Sequence, residues 1–162
     1  MKLLPLIGFL LAFCYVTPDL SEIRKNYPLA NSSKEVTHSM YDALSSITKN
    51  DKAVLVAYKG GLTTLMAKHA KGIKQKKAFF QEGVALLEHA VAQEGENIEI
   101  RYIRLGVQEN SPKFLKYKGN IETDKRFILE HFSSDAPQEI RGYIKDYVQQ
   151  SSAFTTTEKQ SF

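Results

Sequence analysis

The sequence predicts an all-α protein of about six or seven helices, packed as antiparallel helical hairpins in a tetratricopeptide-like or irregular bundle. Three observations carry this. Beyond residue 18 nearly every segment repeats its apolar residues with helical period, no segment alternates beside a hairpin turn, and the breaks between segments are short. The chain has 162 residues, 43% hydrophobic and 25% charged, which fits one folded domain and excludes wholesale disorder. A single cysteine, Cys14, excludes an intrachain disulfide framework and a multi-cysteine zinc site.

The first element is a leader. Lys2 precedes an apolar run from Leu3 to Val16, broken by Pro5 and Gly8. A basic residue followed by a run shorter than the roughly 20 residues of a membrane span reads as a signal peptide over residues 1–18. Cys14 follows Leu11-Ala12-Phe13, where a lipobox needs a small residue in place of Phe13, so an exported periplasmic or secreted protein is expected rather than a lipoprotein. Without Lys2 the mature chain has 21 basic against 18 acidic residues, a net charge of +3. That balance does not call for nucleic acid.

Residues 19–150 read as a single helical domain. Leu20, Ile23 and Tyr27 form a stripe that stops at Pro28. Ser32 and Glu35 have capping-box spacing before the stripe Val36, Met40, Ala43, Leu44 and Ile47. Asp51 is placed to cap a third helix from Lys52 to His69, with Val54, Tyr58, Leu62 and Leu65 on one face. Gly60 and Gly61 interrupt it and let a neighbouring helix approach closely. The fourth helix, Lys74 to Gln93, has a broad apolar face that includes Phe79, Phe80, Gly83 and Leu87, and is expected to be packed on more than one side. The fifth runs from Ile98 to Glu109 and is closed by Pro112; Asn120 can cap a sixth from Ile121 to Phe132. Asp135 and Gln138 have capping-box spacing for a seventh, striped by Ile140, Tyr143, Ile144, Tyr147 and Val148. The remainder, residues 151–162, is aperiodic and polar, and reads as a disordered tail.

Catalytic chemistry has little purchase here. His38, His69, His89 and His131 form no metal-ligand pair, no serine lies in a nucleophile elbow, and Gly60-Gly61 is too short to cradle phosphate. No catalytic, cofactor-binding or metal-binding residue is predicted. Two constellations stand out. Lys68, Lys71, Lys74, Lys76 and Lys77 make a basic surface around the turn between the third and fourth helices, either a solvated loop end or a weak attractor for anionic headgroups or an acidic partner. Asn97, Arg101, Arg104 and Gln108 make a polar stripe between apolar flanks on the fifth helix. This stripe is either an internal ion-pair network with Glu99, Glu122 or Asp124, or an anion or peptide-carboxylate pocket to which Tyr117 and Tyr58 supply hydroxyls.

Gly83, Leu87, Ala90 and Val91 resemble the second helix of a tetratricopeptide repeat, with Tyr58 and Gly61 in the helix before it. More broadly, AYKGGLTTLMAKHAK, EIRYIRLGVQENSPKFLKY and IETDKRFI resemble an uncharacterised family of small exported helical proteins of Gram-negative bacteria, over about Asp19 to Phe132. The resemblance implies export and an all-α fold and transfers no catalytic residue. The expectation is a non-catalytic binding or scaffold protein of the cell envelope with a protein or peptide partner, without cofactor or nucleic acid. The alternatives are an enzyme binding an anionic substrate at Arg101 and Arg104, and an accessory protein using the lysine cluster for weak contact with an anionic membrane surface.

Overall fold

The run from Ala53 to Tyr58 carries no charge, and Lys59 is the sole charged residue before Lys68. A helix of that composition has to be enclosed, and it becomes the centre of the molecule. The computed structural model describes residues 19–162. Its helices are α1 (Leu20–Ala30), α2 (Lys34–Ala43), α3 (Ala53–His69), α4 (Ile73–Gln93), α5 (Ile98–Asn110), α6 (Ile121–Asp135), α7 (Gln138–Gln150) and the short α8 (Thr156–Lys159), with a 3-10 turn at Lys113–Leu115. The described residues contain no strand, so the fold is all-α. The leader and Cys14 lie outside the described residues. No described helix is long and apolar enough to cross a membrane.

Successive helices pair as hairpins, α1 with α2, α3 with α4 and α5 with α6, and α3 packs against α1, α2, α4 and α5. The most enclosed helix is therefore α3, while α4 packs chiefly on α3 and more lightly on α5. Val56, Ala57, Tyr58 and Leu62 are buried on its different faces, whereas α4 buries Gly83, Leu86, Leu87 and Ala90 along one stripe. Lys59 escapes enclosure by extending its ammonium to the carbonyls of Ser45 and Ile47 at 3.0 and 2.6 Å. The core continues through Ile100, Ile103 and Leu105 of α5, Ile128 of α6 and Ile140, Ile144 and Val148 of α7. Each such side chain contributes about 1.5–3 kcal/mol on burial.

Several boundaries differ from the sequence reading for local reasons. α1 runs through Pro28 to Ala30, because a proline near the last turn removes one amide bond without ending the helix. The cap of α2 is Ser33, whose hydroxyl accepts from the Val36 amide at 3.2 Å, while the Ser32 hydroxyl donates back to the Leu29 carbonyl. Asp51 does not cap α3; its carboxylate accepts from the amide and hydroxyl of Thr48 at 2.7 and 2.9 Å, closing the preceding turn. Asp135 ends α6 rather than capping α7, which starts after Pro137.

The expected disordered tail is instead packed. Phe154 is 4% exposed, and Phe162 lies against both Phe132, centroids 4.6 Å apart, and Phe154 at 5.9 Å. Thr155 and Glu158 form a reciprocal capping box that starts α8. Two aromatics in twelve residues give no periodic signal, yet they suffice to seat the segment when a groove already exists to receive them.

Candidate functional site

α5 opens on Asn97, whose side chain accepts from the amides of Glu99 and Ile100 at 3.0 and 3.4 Å, so Asn97 is a cap rather than a member of the polar stripe. The helix then carries Arg101, Arg104 and Gln108 at spacings of three and four toward one neighbour, α6. There Asp124, one turn into α6, is 0% exposed. Arg104 donates from Nε to Asp124 Oδ2 at 2.8 Å and from Nη2 to Oδ1 at 2.7 Å, a two-point fork. Arg101 Nη1 donates to Oδ1 at 3.0 Å and Gln108 Nε2 to Oδ2 at 2.8 Å. Both oxygens of a buried carboxylate thus accept from two donors, which is what keeps a charge tolerable in the interior.

The network extends outward. Arg104 Nη1 donates to Glu88 Oε2 on α4 at 2.9 Å, and the Tyr117 hydroxyl donates to Glu88 Oε1 at 2.5 Å. Arg101 Nε donates to the Gly95 carbonyl at 2.6 Å, with the guanidinium 5.1 Å from the centroid of the Phe127 ring. Gln108 Oε1 accepts from the Asn120 amide at 2.9 Å, satisfying the start of α6 where the Asn120 side chain does not. Burial lowers the Arg104 pKa, but its bonds to Asp124 outweigh that and leave it raised. Burial, and then the bond to Glu88, push the Tyr117 hydroxyl well above its usual range, so it stays a donor.

All five residues expected to act together, Arg101, Arg104, Gln108, Tyr117 and Asp124, are therefore joined in one network, Tyr117 through Glu88. Glu88 is the member that sequence reasoning missed. Its signal was available: it stands between Val84 and Val91 at helical spacing, where a charge demands a partner. Of the other acids considered, Glu122 pairs with Lys125 at 2.9 Å and Glu99 belongs to a different cluster. Arg24 of α1 forks onto Glu99 at 2.8 and 2.7 Å, and the Tyr58 hydroxyl donates to the same carboxylate at 2.6 Å. Chemically, the arginines hold internal carboxylates. An external anion reaching Arg104, itself 4% exposed, would have to displace Asp124 or Glu88.

Two open surface depressions occur among the described residues, one along residues 93–98 beside Asp135 and Pro137, the other along residues 49–53 beside His89, Gln93 and Glu94. Neither is lined by Arg101 or Arg104. No three His, Cys, Asp or Glu side chains among the described residues converge as a metal site. His38 and His69 are neighbours, ring centroids 6.0 Å apart, and the buried His38 Nε2 has no hydrogen-bond partner.

Of the basic surface, Lys68 is tied down: its ammonium donates to the carbonyl and side-chain oxygen of Asn31 at 2.8 and 3.1 Å. Lys71, Lys74, Lys76 and Lys77 are exposed, and none is in an ion pair among the described residues. No family model, curated protein or solved structure matches this chain.

Proposed function

We propose that this chain is an exported, non-catalytic binding protein of a Gram-negative cell envelope. The observation that carries the non-catalytic part is the saturation of its interior charges. Arg104, Asp124 and Glu99, the charged residues buried among those described, are spent on internal partners, and neither surface depression is lined by Arg101 or Arg104. The enzyme reading would need Arg101 and Arg104 to release Asp124 before binding an anion. Export is supported by the basic and apolar leader, and by the resemblance of residues 57–71, 99–117 and 121–128 to exported helical proteins.

Fractionation of a Gram-negative host, intact-mass analysis and crosslinking in whole envelopes test this reading. The expected species is envelope-associated, lacks Met1 and Lys2, and gives discrete crosslinked adducts that disappear when the envelope is solubilised. A soluble cytoplasmic chain that retains Met1 overturns export. Turnover of an anionic substrate that is abolished by Arg104→Ala in a still-folded protein overturns the non-catalytic assignment.

A further inference from the structure

Among the described residues three large apolar side chains are exposed: Ile73 at 87%, Phe114 at 80% and Leu29 at 52%. Leu29 is two residues from Asn31, which Lys68 at the end of α3 grips. Ile73 opens α4 immediately after the turn at Gly72, whose φ of 83° permits the reversal. Ile73, Lys76, Lys77 and Phe80 share one face of α4 at spacings of three, four and seven. On that face the Phe80 ring meets Tyr117, centroids 6.0 Å apart, which brings the segment of Phe114 alongside.

The same end of the molecule is basic. Residues 71–78 are all exposed and include Lys71, Lys74, Lys76 and Lys77; Lys113 and Lys116 flank Phe114 and are exposed as well. None of these six ammonium groups is in an ion pair among the described residues. Acids stand beside this surface: Glu88 accepts from the Tyr117 hydroxyl at 2.5 Å and is paired with Arg104, while Glu35 is close enough to influence His69, and Glu82 and Asp42 to influence Tyr41, which packs on Phe79. The lysines do not serve the helix that bears them: a first turn favours acids, and α4 has none there.

We infer that this end of the molecule, the α3–α4 turn with the Lys113–Tyr117 segment, docks on an anionic lipid bilayer. A bilayer surface offers what the patch lacks. Its headgroups accept the ammonium groups, and the layer beneath accepts isolated apolar side chains standing among them. An acidic protein fits the charge but not the separated apolar side chains, which make no contiguous buried core for an interface. The inference deepens the binding reading above by naming the partner. It needs neither export nor a protein ligand to be tested.

The chain from Asp19, whose described residues pack a continuous hydrophobic core, is the species to test, free of the apolar leader's own affinity for lipid. The measurement is sedimentation with equimolar phosphatidylglycerol and phosphatidylcholine vesicles, against phosphatidylcholine alone and a soluble sulfated polysaccharide. Binding to the anionic vesicles alone of the two is expected, falling about fivefold for each lysine among Lys71, Lys74, Lys76 and Lys77 changed to Gln. Ile73→Ser with Phe114→Ser should weaken vesicle binding and leave polysaccharide binding unchanged; circular dichroism verifies the fold of each variant. The protein has no tryptophan, so Ile73→Trp supplies a single fluorophore whose emission should shift to the blue on anionic vesicles. No vesicle binding, or no shift at Ile73→Trp, overturns the inference. Polysaccharide and vesicle binding that both ignore Ile73 and Phe114 also overturn it, in favour of an acidic macromolecule. An envelope-bound chain that crosslinks to protein but ignores vesicles sinks the bilayer and spares the binding reading. A vesicle-binding chain retained in the cytoplasm spares the bilayer inference and sinks export.

Discussion

Gly60 and Gly83 face one another backbone to backbone where α3 crosses α4: a Cβ on Gly60 would stand 2.9 Å from the Gly83 carbonyl oxygen, and one on Gly83 would stand 2.6 Å from that of Gly60. Neither carbonyl can step aside without moving a helix. Alanine at either position gains about 1 kcal/mol of helix propensity and loses more to overpacking, about 1–3 kcal/mol with a rigid backbone in the way. Gly60→Ala and Gly83→Ala are each expected to lower the melting temperature. Gly142, inside α7 with open space around it, is the control: Gly142→Ala should raise stability by about 0.5–1 kcal/mol in the same thermal melts.

The Arg104 and Asp124 pair gives a graded series. Arg104→Ala leaves the buried Asp124 without its fork and should cost about 3–5 kcal/mol. Arg101→Ala removes one charged bond from a carboxylate still held by Arg104 and Gln108, so about 1.5–3 kcal/mol is expected. Arg104→Lys should recover part of the loss, since one ammonium cannot replace two parallel donors. Urea denaturation of the three variants checks the order. Unchanged or raised stability in both alanine variants would mean that Asp124 does not depend on them.

Phe154 and Phe162 make the segment after Gln150 part of the fold. Phe154→Ala should cost about 3–5 kcal/mol if the groove it leaves does not collapse, and truncation after Gln150 should destabilise α6 and α7 as well. Hydrogen exchange of the α6 and α7 amides measures this directly. Unaltered protection in the truncated chain would show that the tail rests on the domain without supporting it.

A pH effect follows from Glu109. Its carboxylate accepts from Tyr147 at 2.6 Å, Ser151 at 2.8 Å, the Ser152 amide and hydroxyl at 2.6 and 2.8 Å, and the Ala153 amide at 3.2 Å. Burial pushes its pKa up, but these bonds outweigh burial and leave it below the ordinary value of 4.5. A carboxyl whose folded pKa is depressed contributes stability that is present above its unfolded value and is lost as pH falls through the folded value. Tail protection should therefore decline on acidification below about pH 4.5, and Glu109→Gln should flatten that decline while weakening the tail at neutral pH. A decline of equal steepness in the Glu109→Gln variant would assign it to other carboxyls.

The helices were legible because their apolar stripes repeat, and the Arg101, Arg104 and Asp124 grouping because charges set between apolar flanks must find partners. Gly60 was legible as a close-approach point, but its reciprocal partner Gly83 was not, since facing positions belong to tertiary structure. Ser33 against Ser32 as a cap is decided by hydroxyl geometry that either residue satisfies on paper. Arg24 reaching Glu99 and Glu109 gripping Ser151 and Ser152 join segments far apart in the chain, and no local spacing announces them. Phe154 and Phe162 are too few for periodicity and were lost among serines and threonines.

The interior clusters also shape how the molecule looks from a distance. Arg24, Arg101 and Arg104 face Glu99, Asp124 and Glu88, so the two networks cancel and emit almost no net field. The formal charge of +4 is carried by the remaining side chains. Because Lys71, Lys74, Lys76 and Lys77 crowd the α3–α4 turn, unpaired among the described residues, that end is the expected cationic face of the protein. The protein should turn that end toward any negatively charged plane before touching it, and lose the preference once added salt shortens the Debye length below about 8 Å.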